Sequence, residues 1–208
     1  IAGAVSTGTH GTGVTLGSVS SQVVGLKLVT AGGDVIEANA EENRDVFDAG
    51  RVSIGALGVL SELTLQCVPA YTLSEMTGRM KAEAMFEQLD TLVRDNRHFE
   101  FFWLPYSGKA IRVIHDISDK PRGKPPMDLD NIGVRAIGLA RSAGRLSPGL
   151  RRWLMSLILA LQGNEDYVGE SWRVLSKPRD VKFVEMEYHL PPDAAPDVIR
   201  EVASLTER

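Results

Sequence analysis

The chain has 208 residues, 43% of them hydrophobic and 24% charged, with a net charge of −4 and one cysteine, Cys67. The length allows one large domain or two small ones with a substantial core. The acidic balance gives no general attraction to nucleic acid, and a lone cysteine excludes an internal disulfide, so a reducing cytoplasm is the expected compartment.

The chain opens on Ile1, directly in glycine-rich sequence and without a signal-like segment, and reads as an internal piece of a longer protein. Residues 1–17 hold five glycines (Gly3, Gly8, Gly11, Gly13, Gly17) and four threonines (Thr7, Thr9, Thr12, Thr15), which predicts an opening loop with a bare main chain. QVVGLKLVT (22–30) is rich in β-branched residues, AGGD follows, and VIEA resumes the pattern, a β-hairpin. EENRDVFDAGRVSIGALG (41–58) predicts a short helix broken by glycines, and VLSELTLQCVPA (59–70) a strand stopped by Pro69. AEAMFEQLDTLVRDN (82–96) places Met85, Phe86, Leu89, Leu92 and Val93 at helical spacing, one amphipathic helix.

HFEFFWLP (98–105) and KAIRVIHD (109–116) read as a second hairpin across YSG, with its aromatics in a core. DISDKPRGKPPMD (116–128) is a long exposed loop. NIGVRAIGLARSAG (131–144) and GLRRWLMSLILALQG (149–163) follow as helices that cover a sheet, with Pro148 near a helix start. The longest apolar run, WLMSLILAL (153–161), is about half the roughly 20 residues a membrane-spanning helix needs. Arg151 and Arg152 beside it admit a peripheral membrane association, and packing on the sheet is the expectation. YVGESWRVLS (167–176) and VKFVEMEYHL (181–190) close the chain as strands before a helix from about residue 196. The order is α+β rather than a regular βαβ alternation, no internal repeat occurs, and a composition shift puts a domain boundary between residues 69 and 70.

The opening glycines do not match G-x-G-x-x-G after a strand, and no lysine followed by Ser or Thr completes a Walker loop. What remains is physical. Glycines let main-chain N–H groups approach a ligand closely, runs of them form anion-holding concavities, and small hydroxyls add adaptable hydrogen bonds. An irregular surface loop is the competing reading.

On the last predicted strand, Val184, Met186, Tyr188 and Leu190 share one face, while Phe183, Glu185, Glu187 and His189 share the other. A half-solvated sheet explains this pattern, and no metal site is expected from it. His10 is read as fixing its loop or meeting a ligand rather than as a base, and His98, His115 and His189 as structural histidines in strands.

IAGAVSTGTHGTG, SSQVVGLKLVTAGGDVIEA, ENRDVF, VSIGALGVLSELTLQCVP, HFEFFWLP and PRDVKFVEMEYHLP together resemble the FAD-dependent aldonolactone oxidoreductases, the sugar-1,4-lactone oxidases and dehydrogenases of vanillyl-alcohol-oxidase type. The resemblance runs across nearly the whole chain. It implies the C-terminal half of a flavin-binding (PCMH-type) domain over residues 1–69, then most of an α+β substrate domain over 70–208.

It also implies that FAD meets Gly3, Ser6, Thr7, Gly8, Thr9, His10, Gly11, Thr12 and Gly13 of the first segment, and Gly55, Gly58 and Val59 of the GALGV turn. A substrate-domain sheet would roof the flavin, and Glu185 would be its substrate-facing catalytic carboxylate. The implied substrate is a sugar lactone of L-gulono-, L-galactono- or D-arabinono-1,4 type, with oxygen or another electron acceptor reoxidising the flavin. An alditol oxidase of the same fold and a flavin-less module are the alternatives. The family's upstream flavin-linking segment, its Glu-x-Arg pair and its His-Trp-Gly-Lys motif have no match here, so the 208 residues alone are expected neither to retain FAD tightly nor to turn over substrate.

Overall fold

The computed structural model describes residues 1–126, 130–145, 147–161, 163–177, 180, 182 and 184–207. Its chain divides into two compact units, Ile1–Pro69 and Ala70–Arg208.

In the first unit, β1 (Val23–Val29) lies between β2 (Val35–Asn39) and β3 (Val59–Leu65) in an antiparallel sheet. Leu26 stands opposite Ala38 on one side and Leu63 on the other. Period-two alternation turns Leu26 and Leu28 inward, where they meet Val5, Val23, Ala38 and Phe47. Lys27 points the other way and pairs with Glu37 at 3.1 Å and Glu62 at 3.4 Å. Phe47 comes from α2 (Arg44–Gly50), whose last residue approaches the sheet so closely that a Cβ there would lie 2.8 Å from a Leu26 methyl. The opening segment departs from the expected loop at one point, because Ala2–Ser6 forms a short helix, α1. Its Val5 is fully buried, and this apolar anchor makes the turn worth forming.

The second unit is an antiparallel sheet in the order β5-β6-β4-β7. Its strands are β4 (Thr72–Lys81), β5 (His98–Leu104), β6 (Lys109–Ile117) and β7 (Glu165–Glu170). One face carries Phe99, Phe101, Trp103, Ala110 and Ile114 and packs on Met85, Phe86 and Leu92. Those three come from α3 (Ala82–Glu87) and α4 (Leu89–Asp95), two short helices where the sequence predicts one. The break at Gln88, with φ −98° and ψ 3°, leaves both Met85 and Leu92 buried against the same strands. At one end of the other face, Leu104 packs on α5 (Asp130–Ala143) and α6 (Pro148–Leu161) through Ala140, Met155 and Leu159. Arg79 donates from that face to the Leu159 carbonyl at 2.8 Å, satisfying a group in the last turn of α6.

Three further departures concern strands. The central strand β4 has no counterpart in the sequence reading. The expected strand over 167–176 ends at Glu170, and Ser171–Leu175 form α7. The expected strand over 181–190 does not form over its described residues: Lys182 and residues 184–190 adopt no regular structure, while Val181 and Phe183 lie outside the described residues. Val184, Met186 and Tyr188 are exposed rather than sharing a buried face, and His189, 3.8 Å from Glu187, is not in a strand. Alternation alone does not make a strand, since the backbone also needs a partner for its ladder. The chain closes with α8 (Ala195–Thr206).

Candidate functional site

The first unit brings the two glycine-bearing segments together. The Ile54 N–H donates to the Ser6 carbonyl at 3.0 Å, and the nearest atom to a Cβ on Gly8 would be a Val52 methyl at 3.9 Å. The loop leaving α1 is fixed by its own main chain, with Thr9 N–H on the Ala4 carbonyl at 3.0 Å and Val19 N–H on the Thr9 carbonyl at 2.9 Å. The Thr7 hydroxyl donates to the Gly3 carbonyl at 2.9 Å and lies 3.4 Å from the Thr9 hydroxyl. His10 Nδ1 is 2.9 Å from the Gly11 carbonyl, so this imidazole braces its own loop. Thr7, Thr9, His10 and Gly11 are exposed, whereas Thr12 and Gly13 are half-buried.

The glycines divide by what their missing Cβ would meet. Gly8, Gly13 and Gly55 have φ of 68°, 112° and 78°, in the left-handed region that side chains disfavour. Gly58, with φ 142°, has the Val29 carbonyl oxygen 2.2 Å from its Cβ position, so the register of β1 and β3 requires a glycine there. Val59 begins β3 opposite Val29. Gly3 and Gly11 carry ordinary φ, and among the described residues nothing lies within 4 Å of a Cβ on either. Their bareness serves no packing among the described residues. Ser6 is buried in α1, and it is its carbonyl that ties the segments.

The same two segments carry exposed apolar side chains, Val14 on the first and Val52, Ile54 and Leu57 on the second. Ile54, a β-branched residue at φ 47°, is strained as well as 79% exposed. Exposed hydroxyls at Thr7 and Thr9 and open main chain at Gly3 and Gly11, beside these apolar side chains, fit a dinucleotide carrying a flat ring.

The second unit holds a polar row that the sequence reading missed. His98 on β5, His115 on β6, Glu75 on β4 and Tyr167 on β7 stand opposite one another in register. Glu75 is 1% exposed, and its carboxylate accepts from Lys177 Nζ at 2.9 Å and lies 3.2 Å from His115 Nε2. The rings of His98 and His115 meet edge to face at 6.1 Å. Burial pushes the Glu75 carboxyl up. The hydrogen bonds from His115 and Lys177, with the Lys177 charge, outweigh burial and hold it below the ordinary carboxylate value. Glu185 lies on the exposed segment 184–190.

A model of the D-arabinono-1,4-lactone oxidase family matches residues 63–208. The L-gulono-1,4-lactone dehydrogenase of Mycobacterium tuberculosis is 36% identical over 212 residues, covering 100% of this chain and 49% of its own length. The L-gulonolactone oxidase of Bos taurus is 28% identical over 99% of this chain and 48% of its own. The chain thus spans about half the length of the curated relatives it matches. Among solved structures, a His121Ala mutant of cholesterol oxidase from Brevibacterium sterolicum superposes with a TM-score of 0.58 at 20% identity, over 81% of this chain and 38% of that one. This likeness shows the fold, an α+β architecture shared with that oxidase. The family model covers well over half of the residues, and the chain therefore belongs to the D-arabinono-1,4-lactone oxidase family.

Proposed function

We propose that this chain is part of an FAD-dependent oxidoreductase acting on a sugar 1,4-lactone of L-gulono-, L-galactono- or D-arabinono type. The observation that carries the reading is the 36% identity to an L-gulono-1,4-lactone dehydrogenase across the full chain. The bare main chain at Gly3 and Gly11 in the first unit supports it from the protein's own geometry. Bound FAD would supply the hydride acceptor, at flavin N5.

The chain's residues do the holding. Main-chain amides of Gly11, Gly13 and Gly55, with the hydroxyls of Thr7, Thr9 and Thr12, fit the pyrophosphate and the polar ring edge, while Gly8, whose N–H bonds the Val5 carbonyl at 3.1 Å, shapes the loop by its left-handed φ. His10 keeps the loop in shape, and Val59 with the neighbouring apolar side chains supports the ring. Ser6 and Gly58 contribute by fixing the two segments. Glu185 is assigned the lactone hydroxyls, from which a carboxylate accepts hydrogen bonds. The division of the substrate role to residues 70–208 belongs to the same reading. The relatives' names include both oxidases and dehydrogenases, so the electron acceptor is oxygen or another oxidant.

The test uses the full-length protein, with flavin absorbance and dye reduction measured against a panel of 1,4-lactones and open-chain alditols. Yellow protein that reduces dye with lactones supports the proposal. Colourless protein, or turnover of alditols alone, refutes it. Glu185→Gln should raise KM for the lactone at unchanged flavin content.

A further inference from the structure

The sheet of the second unit has two unlike faces. One is apolar and aromatic, with Phe99, Phe101, Trp103, Ala110 and Ile114 under α3 and α4. The other, beyond the end that α5 and α6 cover, carries the row His98, His115, Glu75 and Tyr167, with Thr77 next along β4 on the same side. His98, His115, Glu75 and Thr77 are all buried. Stability alone does not account for such a row, since a buried ion pair is often matched or bettered by apolar residues of similar volume.

The geometry of His115 shows what the row lacks. Glu75 accepts from Lys177 Nζ at 2.9 Å and lies 3.2 Å from His115 Nε2, and an ionised carboxylate offers only acceptors. Nε2 is therefore the nitrogen that carries the proton in the neutral ring, and Nδ1 is left as a lone pair. This Nδ1 is buried and has no hydrogen-bond partner among the described residues. A buried acceptor without a donor is costly, so a bound molecule has to supply one. Charge narrows the choice. Lys177, Glu75 and a neutral His115 sum to zero, so these groups draw neither an anion nor a cation, and the lone pair fits the O–H of a neutral ligand.

We infer that His115 Nδ1 accepts a hydrogen bond from one hydroxyl of the polyhydroxylated substrate, which makes His115, oriented by Glu75, a specificity-determining residue for that hydroxyl. This rests on the sugar-lactone reading above and adds a contact to the one assigned to Glu185. The competing occupant is an internal water, which would satisfy Nδ1 whatever the substrate carries.

The experiment uses the full-length, flavin-loaded protein and a set of monodeoxy L-gulono-1,4-lactones, each lacking one hydroxyl. It reads kcat/KM for those that turn over and the inhibition constant for those that do not. The parent should discriminate against one member of the set. His115→Gln keeps an amide donor for Glu75 and removes the Nδ1 acceptor. It should lower kcat/KM for the complete lactone roughly ten- to a hundred-fold while leaving the constant for that one deoxy lactone unchanged. His115→Asn, whose amide oxygen falls near the Nδ1 position, should restore part of the discrimination. An equal loss across the whole set at unchanged flavin content overturns the inference and assigns Nδ1 to water. So does a parent that takes every deoxy lactone as well as the complete one. A flavin-loaded parent that acts on no lactone is a different result: it refutes the lactone reading itself, and this inference falls with it.

Discussion

The Ile54 amide donates to the Ser6 carbonyl at 3.0 Å, and this bond joins two glycine-bearing stretches almost fifty residues apart in the chain. It is made by a β-branched residue held at φ 47°. Because the side chain is 79% exposed, replacing it removes little buried area. Ile54→Asn keeps the donor and tolerates the left-handed region. It should therefore stabilise the protein by about 1 kcal/mol, read as a higher urea midpoint at unchanged slope.

Gly58 predicts the opposite sign. A methyl there would sit 2.2 Å from the Val29 carbonyl oxygen at a φ of 142°. Gly58→Ala should cost roughly 3 kcal/mol or more, through strain and displaced pairing between β1 and β3. Chemical denaturation measures it.

The polar row yields a pH prediction. Glu75 titrates below its ordinary value in the folded protein, because the hydrogen bonds from His115 and Lys177 override the burial that would raise it. A depressed carboxylate contributes stability that is complete above the unfolded pKa, about 4.3, and is lost as pH falls through the folded one. Glu75→Gln should flatten the acid limb of the stability curve. Lys177→Met leaves the buried charge beside a histidine and, since Lys177 is 35% exposed, should cost about 1–3 kcal/mol at neutral pH. Urea midpoints across the acid range separate the two variants.

The parts of the fold legible in the sequence are those whose partners lie close by. The hairpin β1–β2 and the aromatic hairpin β5–β6 alternate cleanly, and α6 begins at its proline. Strand β4 was hidden because its inward positions include Glu75 and Thr77. A buried glutamate makes sense only once His115 and Lys177, forty and about a hundred residues away, supply its hydrogen bonds. Residues 184–190 show the converse, a strong alternation that forms no strand. For the candidate site, glycine density was plain in the sequence. What it could not separate is Gly58, which the strands need, from Gly3 and Gly11, which no contact among the described residues explains.

Gly11 therefore gives the most direct test of the account. Its φ is ordinary and among the described residues no atom lies within 4 Å of a Cβ there, so the described fold has room for a side chain that a bound group would exclude. The measurement is the flavin absorbance of full-length Gly11→Val against the parent, at matched circular dichroism and urea midpoint. The account predicts an equally stable protein that has lost its yellow colour, and a variant that keeps a full complement of flavin would contradict it.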